Sequence, residues 1–394
     1  MKDVSFIEKL LDGVEVEWKP LGEVINLEKG RQLNKELLTE NGLYPAYNGG
    51  ISYSGFTDSY NHAENTIIVS QGGASAGFVN FITSKFYANA HCYIVLPIIE
   101  IVQNRYIYHF LELNQKKLTN KQHGAGIPAL RARELKAIQT PIPPLSIQTE
   151  IVRILDTFTT HTAELTAELT AELTAREKQY NYYRDKLLTF EDGEVEWKAL
   201  GEIGEFIRGN GMQKKDFVET GFPAIHYGQI FTRYALSADK TFTYISDELS
   251  KKARIADKNN LLIATTSEND TDLLKPLAWF GEKAAISGDM LLFRHNQNVK
   301  YLAYYFQTEA FQKQKIKHIT GAKVRRVSGS NLKKMTIPIP PLAEQSRIVI
   351  ILDKFDALTH SLSEGLPREI KLRQQQYEYY RDLLLRFPKV EGEA

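Results

Sequence analysis

Between two breaks in the chain, 44 consecutive residues, Leu145 to Leu188, contain neither glycine nor proline. Behind the stop Pro141-Ile142-Pro143-Pro144, the residues Leu145, Ile147, Ile151, Ile154, Leu155 and Phe158 recur at helical spacing. The tetrad Thr-Ala-Glu-Leu then follows three times in tandem, from Thr162 to Leu173. Ala, Leu and Glu are strong helix formers, and a rise of 1.5 Å per residue makes this one helix of roughly 66 Å. A helix of that length outgrows any single small core, so it must pair with another helix or bridge two bodies.

The partner is a second copy. Pro338-Ile339-Pro340-Pro341-Leu342 opens it, and Gln345, Ile348, Val349, Ile351, Leu352, Asp353 and Phe355 repeat Gln148, Ile151, Val152, Ile154, Leu155, Asp156 and Phe158 at a constant offset of 197 residues. The offset still holds where Tyr377, Tyr379, Tyr380, Arg381 and Asp382 repeat Tyr180, Tyr182, Tyr183, Arg184 and Asp185. Val16-Glu17-Trp18-Lys19 recurs as Val195-Glu196-Trp197-Lys198 at an offset of 179, which makes the second copy's body 18 residues longer. Gly365-Leu366-Pro367 should kink or restart the second helix.

The expected fold is therefore α+β: two mixed α/β bodies, separated and joined by two long antiparallel helices that form a coiled coil with internal pseudo-twofold symmetry. The expected domains are a first body at 1–143, a central helix at 144–190, a second body at 191–340, a C-terminal helix at 341–388 and a tail at 389–394. Antiparallel pairing is expected to set Ile151, Leu155, Phe158, Leu165 and Leu169 against Ile348, Leu352, Phe355, Leu358 and Leu362.

Charge follows the same division. Residues 19–140 hold 12 Lys/Arg against 9 Asp/Glu and residues 198–337 hold 22 against 14, although the whole chain is only +1. Basic bodies on acidic helices point to a polyanion on the bodies and protein on the helices. A lone cysteine, Cys92, excludes an internal disulfide, and no apolar run is long enough for a signal peptide or a membrane span, so a cytoplasmic protein is expected.

Within the bodies, Thr66–Ser70 and Cys92–Leu96 read as strands, and Gln71–Gly77 is a glycine-rich turn with neither Walker nor dinucleotide spacing. The candidate phosphate contacts are Lys116, Lys117, Lys121, His123, Arg131 and Arg133 in the first body. In the second they are Lys313, Lys315, Lys317, His318, Lys323, Arg325 and Arg326. Candidates for base readout are Asn48, Gln71 and Ser75, then His226, Gln229, Ser267 and Asn269, for each of which a turn or capping role competes.

Two variable bodies, each ending in a basic Gly-Ala loop and Pro-Ile-Pro-Pro-Leu, followed by duplicated Gln-x-x-Ile-Val-x-Ile-Leu-Asp helices, resemble the specificity subunit of type I restriction-modification systems. The Thr-Ala-Glu-Leu tract with Gln-Tyr-x-Tyr-Tyr-Arg-Asp resembles its IC subgroup. The resemblance covers nearly the whole chain. It implies two target recognition domains, each reading half of a split, asymmetric sequence in double-stranded DNA. It also implies helices that dock two methyltransferase subunits and, in the full complex, two restriction subunits. S-adenosylmethionine, ATP and Mg would then be used by the partners, with no cofactor in this chain, and Tyr180, Tyr183, Tyr377 and Tyr380 are the candidate partner contacts.

Two other classes compete. A methyltransferase would need an Asn/Asp-Pro-Pro-aromatic loop and a glycine cofactor motif, and the chain carries neither; no histidine or cysteine cluster has metal-ligand spacing. A coiled-coil scaffold that binds no nucleic acid explains the helices but not two basic bodies with unlike loops.

Overall fold

The protein is described from a computed structural model that covers residues 6–120, 128–360 and 364–387. It divides into two compact units, one running to Ala167 and resuming at Lys371, the other comprising Glu168–Ile370. The division falls inside the long helix Leu145–Leu187 rather than at the body-helix junctions expected from the sequence. The reason is packing: each half of the helix buries its apolar stripe against one body, so neither half forms a domain of its own.

In the first unit an antiparallel sheet runs in the order Ile25–Lys29, Cys92–Pro97, Thr66–Ser70, Val79–Ile82. All five residues of Thr66–Ser70 are buried. Because side chains alternate across a strand, Ile67 and Val69 enter the core that meets the helices, while Ile68 enters a second core with Phe86, Cys92 and Ile94. A smaller sheet, Gly55–Thr57, Tyr44–Tyr47, Tyr87–Ala88, covers that second core, its last pair parallel.

The second unit repeats this plan with extra edges. Gly204–Arg208, Met290–His295, Asn260–Ala264 and Pro276–Trp279 follow the same order and gain the short strand Ser237–Ala238. The smaller sheet grows to five strands, keeping the parallel pair as Phe222–Ile225 beside Ala284–Ile286. Leu261 and Ile263 face one core, Leu262 and Ala264 the other.

Each body is tied to its helix in the same way. Glu17–Pro20 pairs with Gln139–Ile142, and Glu196–Ala199 pairs with Thr336–Ile339. The duplicated tryptophan and proline motifs are thus each other's strand partners, Trp18 opposite Pro141 and Trp197 opposite Pro338. The Tyr106 and Tyr301 hydroxyls donate to the Pro141 and Pro338 carbonyls, both at 2.9 Å. One turn into each helix a wholly buried glutamine closes the junction: Gln148 accepts from the Gln103 N–H at 2.8 Å and donates to Pro143 O at 2.8 Å, and Gln345 does the same with Asn298 and Pro340 at 2.9 and 2.8 Å.

The helices run antiparallel within each unit. Phe158 stacks on Tyr380 at 5.2 Å while the Thr159 hydroxyl donates to Tyr377 at 3.1 Å; Tyr183 stacks on Phe355 at 5.6 Å while Tyr180 meets His360 edge-on at 5.3 Å. This corrects the expected pairing. Antiparallel order sets the start of one helix against the end of the other, so Ile151 and Leu155 share a core with Leu384, Leu385 and Phe387, and Ile348 and Leu352 share one with Tyr180 and Leu188. Leu165, Leu169 and Leu358 are half-buried, and Leu362 lies outside the described residues. The second helix breaks as expected, into Leu342–His360 and Leu366–Leu385. Gly365 takes φ +82° there, where a Cβ would meet the Ala357 carbonyl oxygen at 2.5 Å.

A polar latch reinforces each junction with different chemistry. In the first unit Asp156 is held by Arg105 and lies 2.7 Å from His109 Nε2. In the second, Asp353 accepts from Lys300 at 2.8 Å and from the Tyr304 hydroxyl at 2.6 Å. Burial raises the Asp156 carboxyl, but the bonds from Arg105 and His109 outweigh it and leave the group below the usual carboxylate range. A depressed folded value stabilises above the unfolded value of about 3.9 and is lost as pH falls through the folded one. Asp156→Asn is therefore expected to lower the melting temperature at neutral pH and to lose that effect below about pH 4, which melting curves across this range check.

Candidate nucleic-acid interface

In the second unit the basic loop is built by a short antiparallel pair, Thr266 opposite Arg326 and Ser267 opposite Arg325. Reciprocal backbone bonds between Thr320 and Arg326, both 2.9 Å, close the loop. Gly321 turns it at φ +90°, where a Cβ would come within 2.1 Å of the Val324 carbonyl oxygen. The Arg325 side chain braces the loop from behind, with Nε 3.1 Å from Asp270 and Nη1 donating to Gly321 O at 2.9 Å. Lys323 and Arg326 are left exposed. Beside them opens a cleft of about 320 Å³ lined by Arg208, Thr265, Thr266, Asp289, Arg326 and Ser328. Its walls offer two guanidinium groups, several hydroxyls and one carboxylate, a set suited to phosphate oxygens at the rim and base edges within.

The first unit puts unlike residues in the same place. Gly72 bridges to Ala129, the Gly73 N–H donates to Pro128 O at 2.9 Å, and the Leu130 N–H donates to Gln71 O at 2.8 Å. The Gln71 N–H bonds His91 O at 2.8 Å, and Gly49 packs against the same residue. Asn48, Gln71, Ser75 and His91 therefore belong to one cluster of turns, with Arg131 and Arg133 exposed on the segment that follows. Lys121 and His123 lie outside the described residues. Cys92, at the base of this cluster, is wholly buried, and burial pushes its thiol up to about 11, so it stays a protonated core residue.

Several expected contacts are spent on structure instead. Lys315 is 1% exposed and donates to the carbonyls of Asp270 and Leu273 at 2.6 and 3.1 Å, which removes it from any phosphate surface. Ser267 is buried and accepts from the Asn269 N–H at 3.2 Å, while Asn269 closes a turn onto Asp272. Gln229 is buried and caps a helix start by accepting from the His226 N–H at 3.0 Å; the His226 ring accepts from the Gly228 N–H at 3.2 Å. Lys313 pairs with Glu309 at 2.7 Å on an exposed helix face, and Lys317 and His318 close the end of that helix through backbone bonds, so these side chains, unlike that of Lys315, stay at the surface. Lys116 and Lys117 line a groove with Trp18, Asp382 and Arg386 rather than joining the Gln71 cluster.

The tyrosines are corrected in the same way. Tyr180 is 2% exposed and donates to Gln307 at 3.1 Å; Tyr377 donates to Glu112 at 3.3 Å, and Tyr183 and Tyr380 stack on phenylalanines. These rings pack the helices. Their neighbours Tyr182 and Tyr379 reach further into solvent, at 60% and 63% exposed, while Tyr183 stays 38% exposed beside its stack on Phe355. Sequence reasoning also missed Arg208, Asp289 and His91. Each closes or follows a strand at a polar turn, and that turn chemistry was the available signal.

A helix frame built twice from like residues, carrying two bodies whose basic loops are unlike, defines a two-headed, sequence-specific DNA-binding protein. The profile described as "Type I restriction modification DNA specificity domain" matches residues 13–175 and again 193–372. The chain belongs to this family of specificity subunits, which direct partner enzymes and are not themselves catalytic. It is 36% identical over 410 residues to the type I restriction enzyme EcoR124I/EcoR124II specificity subunit of Escherichia coli, covering 99% of both chains. It is 30% identical over 397 residues to the EcoprrI specificity subunit of the same organism, covering 92% and 93%. Two solved structures share the fold. One is the type I S subunit from M. genitalium, at TM-score 0.51 and 19% identity, covering 96% of this chain and 98% of that one. The other comes from a study of assembly of the type I R-M system, at TM-score 0.67 and 15% identity, covering 95% and 98%.

Replacing Lys323 and Arg326 together by alanine is expected to weaken duplex binding and to reduce the slope of log affinity against log salt by about two units. Lys315→Ala is expected to leave the slope unchanged and to lower the melting temperature instead. Anisotropy titrations at several salt concentrations separate the two.

Proposed function

We propose that each unit reads one half of a bipartite, asymmetric DNA target, and that the helices dock two methyltransferase subunits and, in the full complex, two restriction subunits. Adenine methylation and restriction are then carried out by those partners at the site this chain selects. The observation that carries the reading is the contrast within the duplication: buried junction residues match position by position, while the cleft residues differ. A frame repeated in this way presents the same surface twice and suits two copies of one partner. Tyr182 and Tyr379, exposed at matched positions of the repeat, are the residues we assign to that docking.

The Thr-Ala-Glu-Leu tract sets the half-site spacing in this reading. The chain passes from one unit to the other at Ala167/Glu168, inside the tract, and the tract is continuous helix. Removing one tetrad shortens a helix by about 6 Å and turns it by about 400°, a full turn plus roughly 40°. One base pair advances about 3.4 Å and turns about 36°. The rotation matches one pair, and a loop facing the wrong side of the duplex reads nothing. Deleting Thr170–Leu173 is expected to shorten the spacer by one base pair and leave both half-sites intact. Mapping methylated adenines in cells that express the variant with its methyltransferase tests this, and an unchanged spacer would show that the tract is no ruler.

A further inference from the structure

The cleft of the second unit contains one group that a surface made only for phosphate would not hold. The Asp289 side chain is 38% exposed there, in a cleft that Arg208 and Arg326 also line. Its structural duties fall on its backbone, whose carbonyl accepts from the Thr265 N–H at 3.0 Å and the Thr265 hydroxyl at 3.1 Å. Among the described residues its carboxylate receives only the Thr266 hydroxyl, at 3.3 Å, and stands 3.8 Å from Arg208 Nη2. Arg208 is itself anchored, its Nε donating to Gly288 O at 3.0 Å, and its side chain is 74% exposed.

A carboxylate facing a polyanion repels it, so at this interface it is tolerated only where it meets a donor. The DNA groups that donate in the major groove are the exocyclic amines of cytosine and adenine. Adenine sets its N7 acceptor beside that amine, which opposes the second carboxylate oxygen; cytosine does not. The paired guanine offers two acceptors, O6 and N7, and a neighbouring guanidinium is the group that matches them. Resting on the reading of this unit as one half-site reader, we propose that Asp289 and Arg208 together read a single C·G base pair, Asp289 accepting from the cytosine amine and Arg208 donating to the guanine edge. The strand register puts Lys29 and His91 at the corresponding places of the first unit, so that unit makes no such reading.

The test uses the full chain expressed with its methyltransferase subunit, with methylated adenines mapped genome-wide. Asp289→Asn keeps the shape and removes the charge. It is expected to weaken discrimination at one C·G position of one half-site by roughly 5- to 150-fold, the worth of one good base contact, and to leave the other half-site and the spacer unchanged. Arg208→Ala is expected to relax the same position. If Asp289→Asn abolishes methylation, competition by the purified complex among duplexes substituted at each position gives the same readout. Unaltered discrimination in both half-sites, relaxation at an A·T position, or relaxation in both half-sites overturns the proposal. A wild-type chain that directs methylation to no bipartite target overturns the half-site reading along with it, whereas a bipartite target that ignores the variant sinks only the role of Asp289.

Discussion

The fold depends on one buried amide used twice. Gln148 and Gln345 are fully enclosed, and each satisfies a backbone N–H ahead of a body helix and a proline carbonyl at the head of a long helix. Neither group has another partner among the described residues, and a buried polar group left unpaired costs about 1–3 kcal/mol. A proline-rich stop is well suited to this. Proline starts a helix readily because the N–H it lacks would have had no partner, yet its carbonyl still needs a donor. The glutamine side chain supplies that donor, so the stop, the head of the long helix and the neighbouring body helix become one polar junction.

This junction explains which parts of the chain are alike. Strand pairing couples Trp18 to Pro141 and Trp197 to Pro338, the tyrosine hydroxyls bind the same prolines, and the glutamines close the set. A change at one member strands another, so the set repeats as a whole. The latches one step away are freer. Asp156 and Asp353 match, but Arg105 and His109 serve one while Lys300 and Tyr304 serve the other. Any two donors answer a carboxylate, so only the acceptor had to stay the same. Burial and the bond to Asp353 push the Tyr304 hydroxyl well up, and it remains a donor throughout the ordinary pH range.

The architecture was legible from the 197-residue offset, because a repeat registers packing that is needed twice. The long helix, its break near Pro367 and the strands Thr66–Ser70 and Cys92–Pro97 all followed from glycine, proline and apolar spacing. The site was legible only in part. Gly321 and the exposed pair Lys323 and Arg326 carry a sequence signal, since a tight turn with flanking cations has few other uses. Lys315 carries the same signal and is buried, because its partners are backbone carbonyls 42 and 45 residues away, which no local pattern announces. Asp289 and Arg208 were hidden for the converse reason: each is ordinary in its own segment, and only the sheet places them side by side. The tyrosines turned on phase, since successive residues of a helix point about 100° apart and the most exposed ring of each repeat is the one between the two that stack or pack.

A reader of this kind must discriminate with few residues, and the electrostatics of the second unit indicate how. Of its cations, Arg325 and Lys315 are committed to partners within the unit, while Lys323 and Arg326 remain exposed beside the cleft. Attraction from such free charges is indifferent to sequence and strengthens binding to every duplex alike. Selectivity needs the opposite, a group that penalises the wrong base, and a carboxylate set among guanidiniums does this because any acceptor it meets is repelled.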